Sequence, residues 1–369
     1  MGHLINGKEE VYQALAERLS RFPVGAVINE TLMEILRRLY TETEADLSRS
    51  IPLKPVSYEK LKEISGMRDS ELKPLLEQMA SKGLVVDIPR KETVYFMLSP
   101  MVVGFFEYTF MRAGPLGNRE LAELFDRYFQ ENGVAEEIFG SETKLFKAFV
   151  YERLIPEIVH TEVMSYEKAA ETVRQSGGGS LSMCACRHKA SHLGKACRMP
   201  VDEICTSLGR PSQWLVRRGF ARYASVDELL RNIERSESLG LVLLVDNVLN
   251  EPAYICHCCG CCCGPLRSIR EHKVISVHPS NFIPVLDSAL CISCAACAQS
   301  CHIDAISMTG LNGAPDLPEL NKEICIGCGA CANFCPSGAL RMEQRKTIHT
   351  PPENKMAQFV SIALERRRF

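Results

Sequence analysis

All eighteen cysteines of this 369-residue chain lie between Cys184 and Cys335. Two runs within that stretch repeat at an offset of 34 residues without a gap: Cys291, Cys294, Cys297 and Cys301 fall on Cys325, Cys328, Cys331 and Cys335. Ala296, Ala298, Ala305 and Met308 also meet their like at that offset. A duplication that keeps thiols and packing residues together implies two pseudo-symmetric halves around one core. Each half reads C-x2-C-x2-C-x3-C, a spacing that wraps a tight loop around one face of a metal centre.

Other readings of the cysteines are excluded in turn. Residues 1–8 show no positive region followed by a long apolar run, so no secretory leader is expected. The most apolar stretches, 101–111 (which contains Glu107) and 239–245, fall well short of the roughly 20 residues a membrane span needs. No membrane insertion is expected, and the two read as a buried helix and a buried strand. The expected compartment is the cytoplasm, where thiols stay reduced and such a density of cysteine argues for metal over disulfides. A zinc site takes four ligands, usually as two separated pairs, rather than eight in a duplicated three-plus-one pattern. The net charge of -2 and pI near 6.5 supply no basic field for nucleic acid. No Walker-type loop or GxGxxG is present, and Gly177–Gly179 lacks the lysine of a phosphate loop.

With Pro336 closing the second half, residues 285–343 resemble the bacterial two-cluster [4Fe–4S] ferredoxin. The resemblance implies crossed ligation, in which the fourth cysteine of each run serves the other cluster. Cys291, Cys294, Cys297 and Cys335 would hold cluster 1, and Cys325, Cys328, Cys331 and Cys301 cluster 2. Small residues between the ligands (Ser293, Ala295, Ala296, Gly327, Gly329, Ala330) let backbone N–H groups approach the cluster sulfurs. His302 stands where the first half would carry proline, and reads as an exposed polar substitute.

Ten cysteines remain: Cys184, Cys186, Cys197, Cys205, Cys256, Cys258, Cys259, Cys261, Cys262 and Cys263. Six thiols in eight positions are an oxidation liability unless metal holds them. C-x-C and adjacent cysteines are poor zinc spacings, so one or two additional iron–sulfur clusters are expected, or one larger cluster. Cys258-Cys259-Gly260 and Cys262-Cys263-Gly264 are similar to the Cys-Cys-Gly motif of heterodisulfide reductases. The cysteine spacing around that motif is missing, so no disulfide-reducing activity is carried over. Arg187, His188, His192 and Lys195 sit among the first four of these cysteines, placed to offset cluster charge. His188 and His257 read as supporting groups rather than ligands. Arg217, Arg218 and Arg222 read as a solvated basic face.

The first half is helical in pattern at 9–19 and 29–40, then at 57–64 and 69–81, with Ser57 and Asp69 as expected N-caps and Gly66 and Gly83 as stops. Apolar runs at 84–88 and 93–98 suggest a hairpin. Over residues 25–100 this order resembles the winged-helix domains of bacterial regulators. The would-be recognition helix, 69–81, carries three acids and one lysine and would repel a phosphate groove. Arg90 and Lys91 on the wing are the features that favour DNA. Docking to a redox partner protein is therefore expected over DNA binding.

Helices are expected at 118–132, 141–150, 166–175, 212–218 and from Ser225 to about 236, the last on the capping-box spacing of Ser225 and Glu228. Ser176 to Gly179 reads as a flexible joint, and the tail from 358 as a frayed terminus. The expected fold class is α+β multidomain. A helical, winged-helix-like domain spans 1–112 and a helical connector 113–176. A cysteine-rich metal-binding domain spans 177–280, a two-cluster ferredoxin domain 281–343 and a tail 344–369. The expected function is single-electron transfer between a redox partner and two [4Fe–4S] clusters. A redox-sensing regulator and an enzyme with a catalytic middle centre are the alternatives.

Overall fold

The computed structural model describes residues 2–155, 167–310 and 316–368 of a mixed α/β protein. It opens with helices Gly2–Ser20, Glu30–Leu39 and Glu42–Ser50. Asn29 caps the second by accepting from Leu32 N at 2.8 Å. The third, which periodicity did not reveal, starts on a capping box of Thr41 and Glu44. Next come β1 (Val56–Ser57), helices Tyr58–Ser65 and Asp69–Lys82, β2 (Val85–Arg90) and β3 (Thr93–Leu98). The strands form an antiparallel sheet in the order β1-β3-β2. Ser57 caps as expected. Asp69 does not: Arg68 holds the cap position, and Asp69 in the first turn accepts from Tyr58 Oη at 2.9 Å. Gly66 and Gly83 end their helices at φ 65° and 78°, where other residues are strained.

Of the stretch 101–111, only Phe106–Phe110 forms a regular α-helix. Helices Arg119–Gln130, Val134–Phe139 and Ala169–Ser176 follow, the last in place of the expected 166–175, of which Tyr166 lies outside the described residues. The helix expected at 141–150 is instead β4 (Phe146–Ala148). Leu145, Phe146, Ala148, Phe149 and Val150 are all buried. A segment buried on every side, Lys147 included, has no amphipathic period to distinguish helix from strand, and pairing decides it.

The central sheet adds β5 (Gly179–Ser182), β6 (Cys205–Leu208), β7 (Arg222–Ala224), β8 (Val242–Asp246), β9 (Tyr254–Cys258) and β10 (Val277–His278). Its order is β10-β4-β8-β9-β6-β5-β7, antiparallel except where β10 joins β4. Strands from both sides of the boundary expected at 176 thus share one sheet. The glycines there are not a joint. Gly177 closes a helix, and Gly179 lies inside the sheet, where a Cβ would sit 2.3 Å from Ser207 O. Helices Ala185–His192, Gly209–Arg217 and Val226–Ser238 cover the sheet, the last on the expected Ser225–Glu228 capping box.

Arg217 and Arg218 are a clamp rather than a solvated face. Asp87 on β2 accepts from Trp214 Nε1 at 2.9 Å and Arg218 Nε at 2.9 Å, and pairs with Arg217. Burial raises the Asp87 pKa, but these donors outweigh it and hold the carboxyl below its usual range. Strand β2 is thereby fixed to helix Gly209–Arg217 beside the central sheet.

The last part carries β11 (Phe282–Leu286), β12 (Ile306–Thr309), β13 (Leu317–Leu320) and β14 (Leu340–Gln344), paired β11 with β14 and β12 with β13. A buried ion pair, Lys147–Glu167 at 2.9 Å, joins it to β4, since Glu167 also accepts from Asn281 Nδ2 at 3.3 Å. The tail is not frayed. Helix Lys355–Glu365 buries Gln358 and Ile362, and Arg366 and Arg368 both pair with Glu137. No helix among the described residues is long and apolar enough to cross a membrane.

Candidate metal centre

All eighteen cysteines are free thiols. In the C-terminal repeat, Ser293 and Gly327, and likewise Ala295 and Gly329, take positive φ at the 34-residue offset. The left-handed residues at Ala295 and Gly329 start the short helices Ala296–Gln299 and Ala330–Asn333. Serine and alanine adopt this backbone only at a cost of order 1–3 kcal/mol, which marks a functional loop. At Gly327 a Cβ would stand 2.1 Å from Phe282 O, so the second loop requires glycine.

These loops bring the eight thiols together in two crossed sets. Cys291, Cys294, Cys297 and Cys335 line one cavity of about 300 Å³. Cys301, Cys325, Cys328 and Cys331 line another of about 380 Å³. Backbone N–H groups point at the sulfurs, as Ala305 N does at Cys301 Sγ from 3.1 Å. Burial raises Cys328 to about 12. At Cys335 burial is outweighed by donors, first the N–H of Leu340, and the thiol is lowered. All-thiol donors, amides facing sulfur and two thiol-lined cavities, open on one side to solvent, fit iron–sulfur clusters of the cubane kind.

The ten remaining thiols divide between two groups. Cys184 occupies the N-cap position of helix Ala185–His192 without a side-chain capping bond, and Cys186 lies in the first turn. The register Thr206↔Ile255 sets Cys205 opposite Cys256 on paired strands, with Cys258 on the same face two residues on. Cys263 occupies the N-cap position of the short helix Gly264–Arg267. Thiol-to-thiol pairings run Cys184–Cys205–Cys256–Cys258–Cys263–Cys186, and the electrostatic influence of Cys184 on Cys186 closes them into a ring. The second group is Cys197, Cys259, Cys261 and Cys262, whose Sγ atoms all lie within 4.8 Å of one another.

Arg187 sits between the groups. It is fully buried, and donates from Nε to Cys259 Sγ at 3.4 Å and from Nη1 to Pro200 O at 2.6 Å, with Nη2 on His257 O. Burial lowers the guanidinium's pKa, but Cys184 and Cys259 outweigh that and hold it raised. The Cys262 thiol and Arg187 together bring Cys259 down to about 4 despite burial.

The other sequence candidates are engaged elsewhere. Lys195 pairs with Asp126 at 3.0 Å, as does Lys189 at 2.7 Å. His188 Nδ1 meets Phe110 O at 2.9 Å and its Nε2 meets His192 Nε2 at 3.2 Å. His257 points to the opposite face of β9 from its cysteine neighbours. Its Nδ1 meets Ser236 Oγ at 2.7 Å and its Nε2 meets Thr206 Oγ1 at 3.1 Å. Burial drives its pKa down to about 3, so the ring stays neutral. Arg222 pairs with Glu203 and Glu228.

His302 is not a surface substitute for proline. Its Nδ1 accepts from Gly260 N at 3.1 Å and its Nε2 meets Gly240 O at 2.7 Å. A Cβ on Gly260 would stand 2.3 Å from His302 O. The residue after Cys301 is therefore bonded to the residue between Cys259 and Cys261. The departure from proline was visible in the sequence, but its partner, 42 residues away, was not.

Residues 273–340 match the family described as a 4Fe-4S dicluster domain, a span that contains all eight cysteines of the repeat. No curated protein and no solved structure matches the chain. The chain thus carries an iron–sulfur cluster-binding domain beside a second cysteine-rich region, a combination that suggests electron transfer.

Proposed function

We propose that this protein passes single electrons between a redox partner and its own [4Fe–4S] clusters, as a component of a larger oxidoreductase system. Cys291, Cys294, Cys297 and Cys335 hold cluster 1, and Cys325, Cys328, Cys331 and Cys301 hold cluster 2. Such clusters supply one-electron capacity at potentials tuned by burial and hydrogen bonding. The middle cysteines hold further metal, with an additional iron–sulfur cluster within the six-thiol ring.

The observation that carries this reading is the His302–Gly260 hydrogen bond. It links the loop of cluster 2 to the middle cysteines through one side chain. At the other end Cys294 is exposed, and Leu290 and Ile292 beside it are 49% and 63% exposed, an apolar surface for a partner. The test is stopped-flow reduction of the full chain by a one-electron donor under anaerobic conditions. His302→Ala is expected to slow reduction of the middle centre and leave the ferredoxin-domain signals unchanged. A parental rate would remove His302 from the path, and a chain that takes up no electrons would sink the reading.

The segment 25–100 serves in this proposal as a winged-helix-like docking module for a protein partner. Its element order supports the likeness. The exposed acids of helix Asp69–Lys82, Asp69, Glu71 and Glu77, engage Lys62, Arg68 and Arg218 in ion pairs, which leaves little positive charge on that face for phosphate and disfavours DNA. Salt-sensitive, sequence-selective DNA binding that follows cluster state would instead establish a regulator.

One observation favours a catalytic middle centre as the second reading. A cavity of about 630 Å³ is lined by Phe106, Phe129, Glu107, Lys189, Cys186 and Cys262, and so reaches both middle thiol groups. Burial raises Glu107 to about 7, the range of a proton donor at neutral pH. Turnover of a small substrate with reduced chain, abolished by Glu107→Gln, would support this reading.

A further inference from the structure

The second thiol group has the dimensions of a single-ion site. Four sulfurs bound about 2.3 Å from one tetrahedral metal stand roughly 3.8 Å from one another. Cys197 Sγ lies 3.6 Å from Cys259 Sγ and 4.0 Å from Cys262 Sγ, and Cys261 Sγ lies 3.6 Å from Cys262 Sγ. In a cubane each thiolate binds its own iron corner with sulfide between corners, which spreads the thiolates further than one shared ion does. Among the described residues, this is the group whose metal-ligating atoms converge within 4.8 Å.

We propose that Cys197, Cys259, Cys261 and Cys262 bind one tetrahedral thiophilic divalent ion, Zn²⁺ or Fe²⁺, without inorganic sulfide and apart from the six-thiol ring. Four thiolates on a divalent ion leave a net charge of −2, and Arg187 on Cys259 Sγ offsets part of it. Four protein ligands close the shell, so the ion offers no open position for substrate. It fastens the turn 259–263 to the loop carrying Cys197, 62 residues upstream of Cys259. That turn includes Gly260, which receives His302, so the ion fixes the junction between the two cysteine regions. The Cys-x-Cys-Cys spacing argued against zinc only on the assumption of two local pairs. Here three ligands come from one turn and the fourth from a distant loop.

The test compares anaerobically purified full chain with its Cys197→Ser/Cys261→Ser variant, measuring iron, zinc and acid-labile sulfide. Loss of about one metal ion per chain with sulfide unchanged is the expected result. The element lost, zinc or iron, tells a structural staple from a one-electron site. Loss of iron with an equal amount of sulfide, or no loss at all, overturns the proposal. Should the variant fail to fold, zinc X-ray absorption and iron Mössbauer spectra of the parent decide. An ion with four sulfur neighbours and no nearby metal supports the single-ion site, and its absence refutes it. The paramagnetic signals of the reduced ferredoxin domain report separately on the electron-transfer reading, which can fail while the single-ion site stands.

Discussion

Replacing Arg187 with methionine should strip the middle cysteines of their metal before it affects the ferredoxin domain. Arg187 is the buried cation between the two thiol groups, with one bond to a thiol sulfur and two to backbone carbonyls. A hydrogen bond to a charged group is worth about 1.5–3 kcal/mol. Removing one partner of a buried charged pair costs about 3–5 kcal/mol, because the other charge is left uncompensated. Pro200 O also loses its donor. Taking about 3 kcal/mol as the part felt by the metal-bound state, affinity should fall on the order of 100-fold. The assay is release of middle-centre metal to a chelator under anaerobic conditions, followed together with sulfide. Arg187→Lys keeps the charge but cannot span three acceptors with a planar fork, and should lie between parent and methionine variant. A methionine variant that resists chelator like the parent would refute the assignment of Arg187 to charge compensation.

Three further outcomes follow from other parts of the molecule. Crossed ligation predicts that Cys335→Ser removes the same cluster signal as Cys291→Ser, and Cys301→Ser the same as Cys325→Ser, read by electron paramagnetic resonance. Pairing by run would show the opposite grouping. Asp87→Ala removes the acceptor of the Trp214 N–H and the buried partner of Arg217 and Arg218, of which Arg218 keeps Glu77, and should lower unfolding stability by about 1–3 kcal/mol in denaturant melts, with Asp87→Asn milder. Glu107 has its folded pKa raised by burial above its unfolded value. Its contribution to stability is therefore full below the unfolded pKa and is lost as pH rises through about 7. Glu107→Gln should lose less stability than the parent between about pH 5 and pH 8, by thermal melts.

What could be read from the sequence was local. The thiol spacing within each run follows from neighbours three or four residues apart, as do the Ser225–Glu228 box and the stops at Gly66 and Gly83, and the duplication is a plain repeat of that spacing 34 residues on. What could not be read was set by partners far along the chain. Residues 146–148 are a strand because β8 and β10 flank them. Arg217 and Arg218 looked solvated because Asp87 lies about 130 residues away. The tail resembled a frayed end until Glu137 met Arg366 and Arg368. The ten middle cysteines showed their metal-binding character as a run, but not their division. That division depends on β9 pointing Cys256 and Cys258 to one face, and on the turn after it carrying Cys259, Cys261 and Cys262 to Cys197.

Counting the electrons taken up per chain in an anaerobic reductive titration tests electron transfer through both cysteine regions most directly. Two ferredoxin clusters accept about two electrons. Uptake clearly beyond two, with the excess lost in a variant of the ring cysteines Cys205 and Cys256, is the expected result. Uptake that stops at about two would mean that the middle centre carries no electrons, and would contradict the proposal.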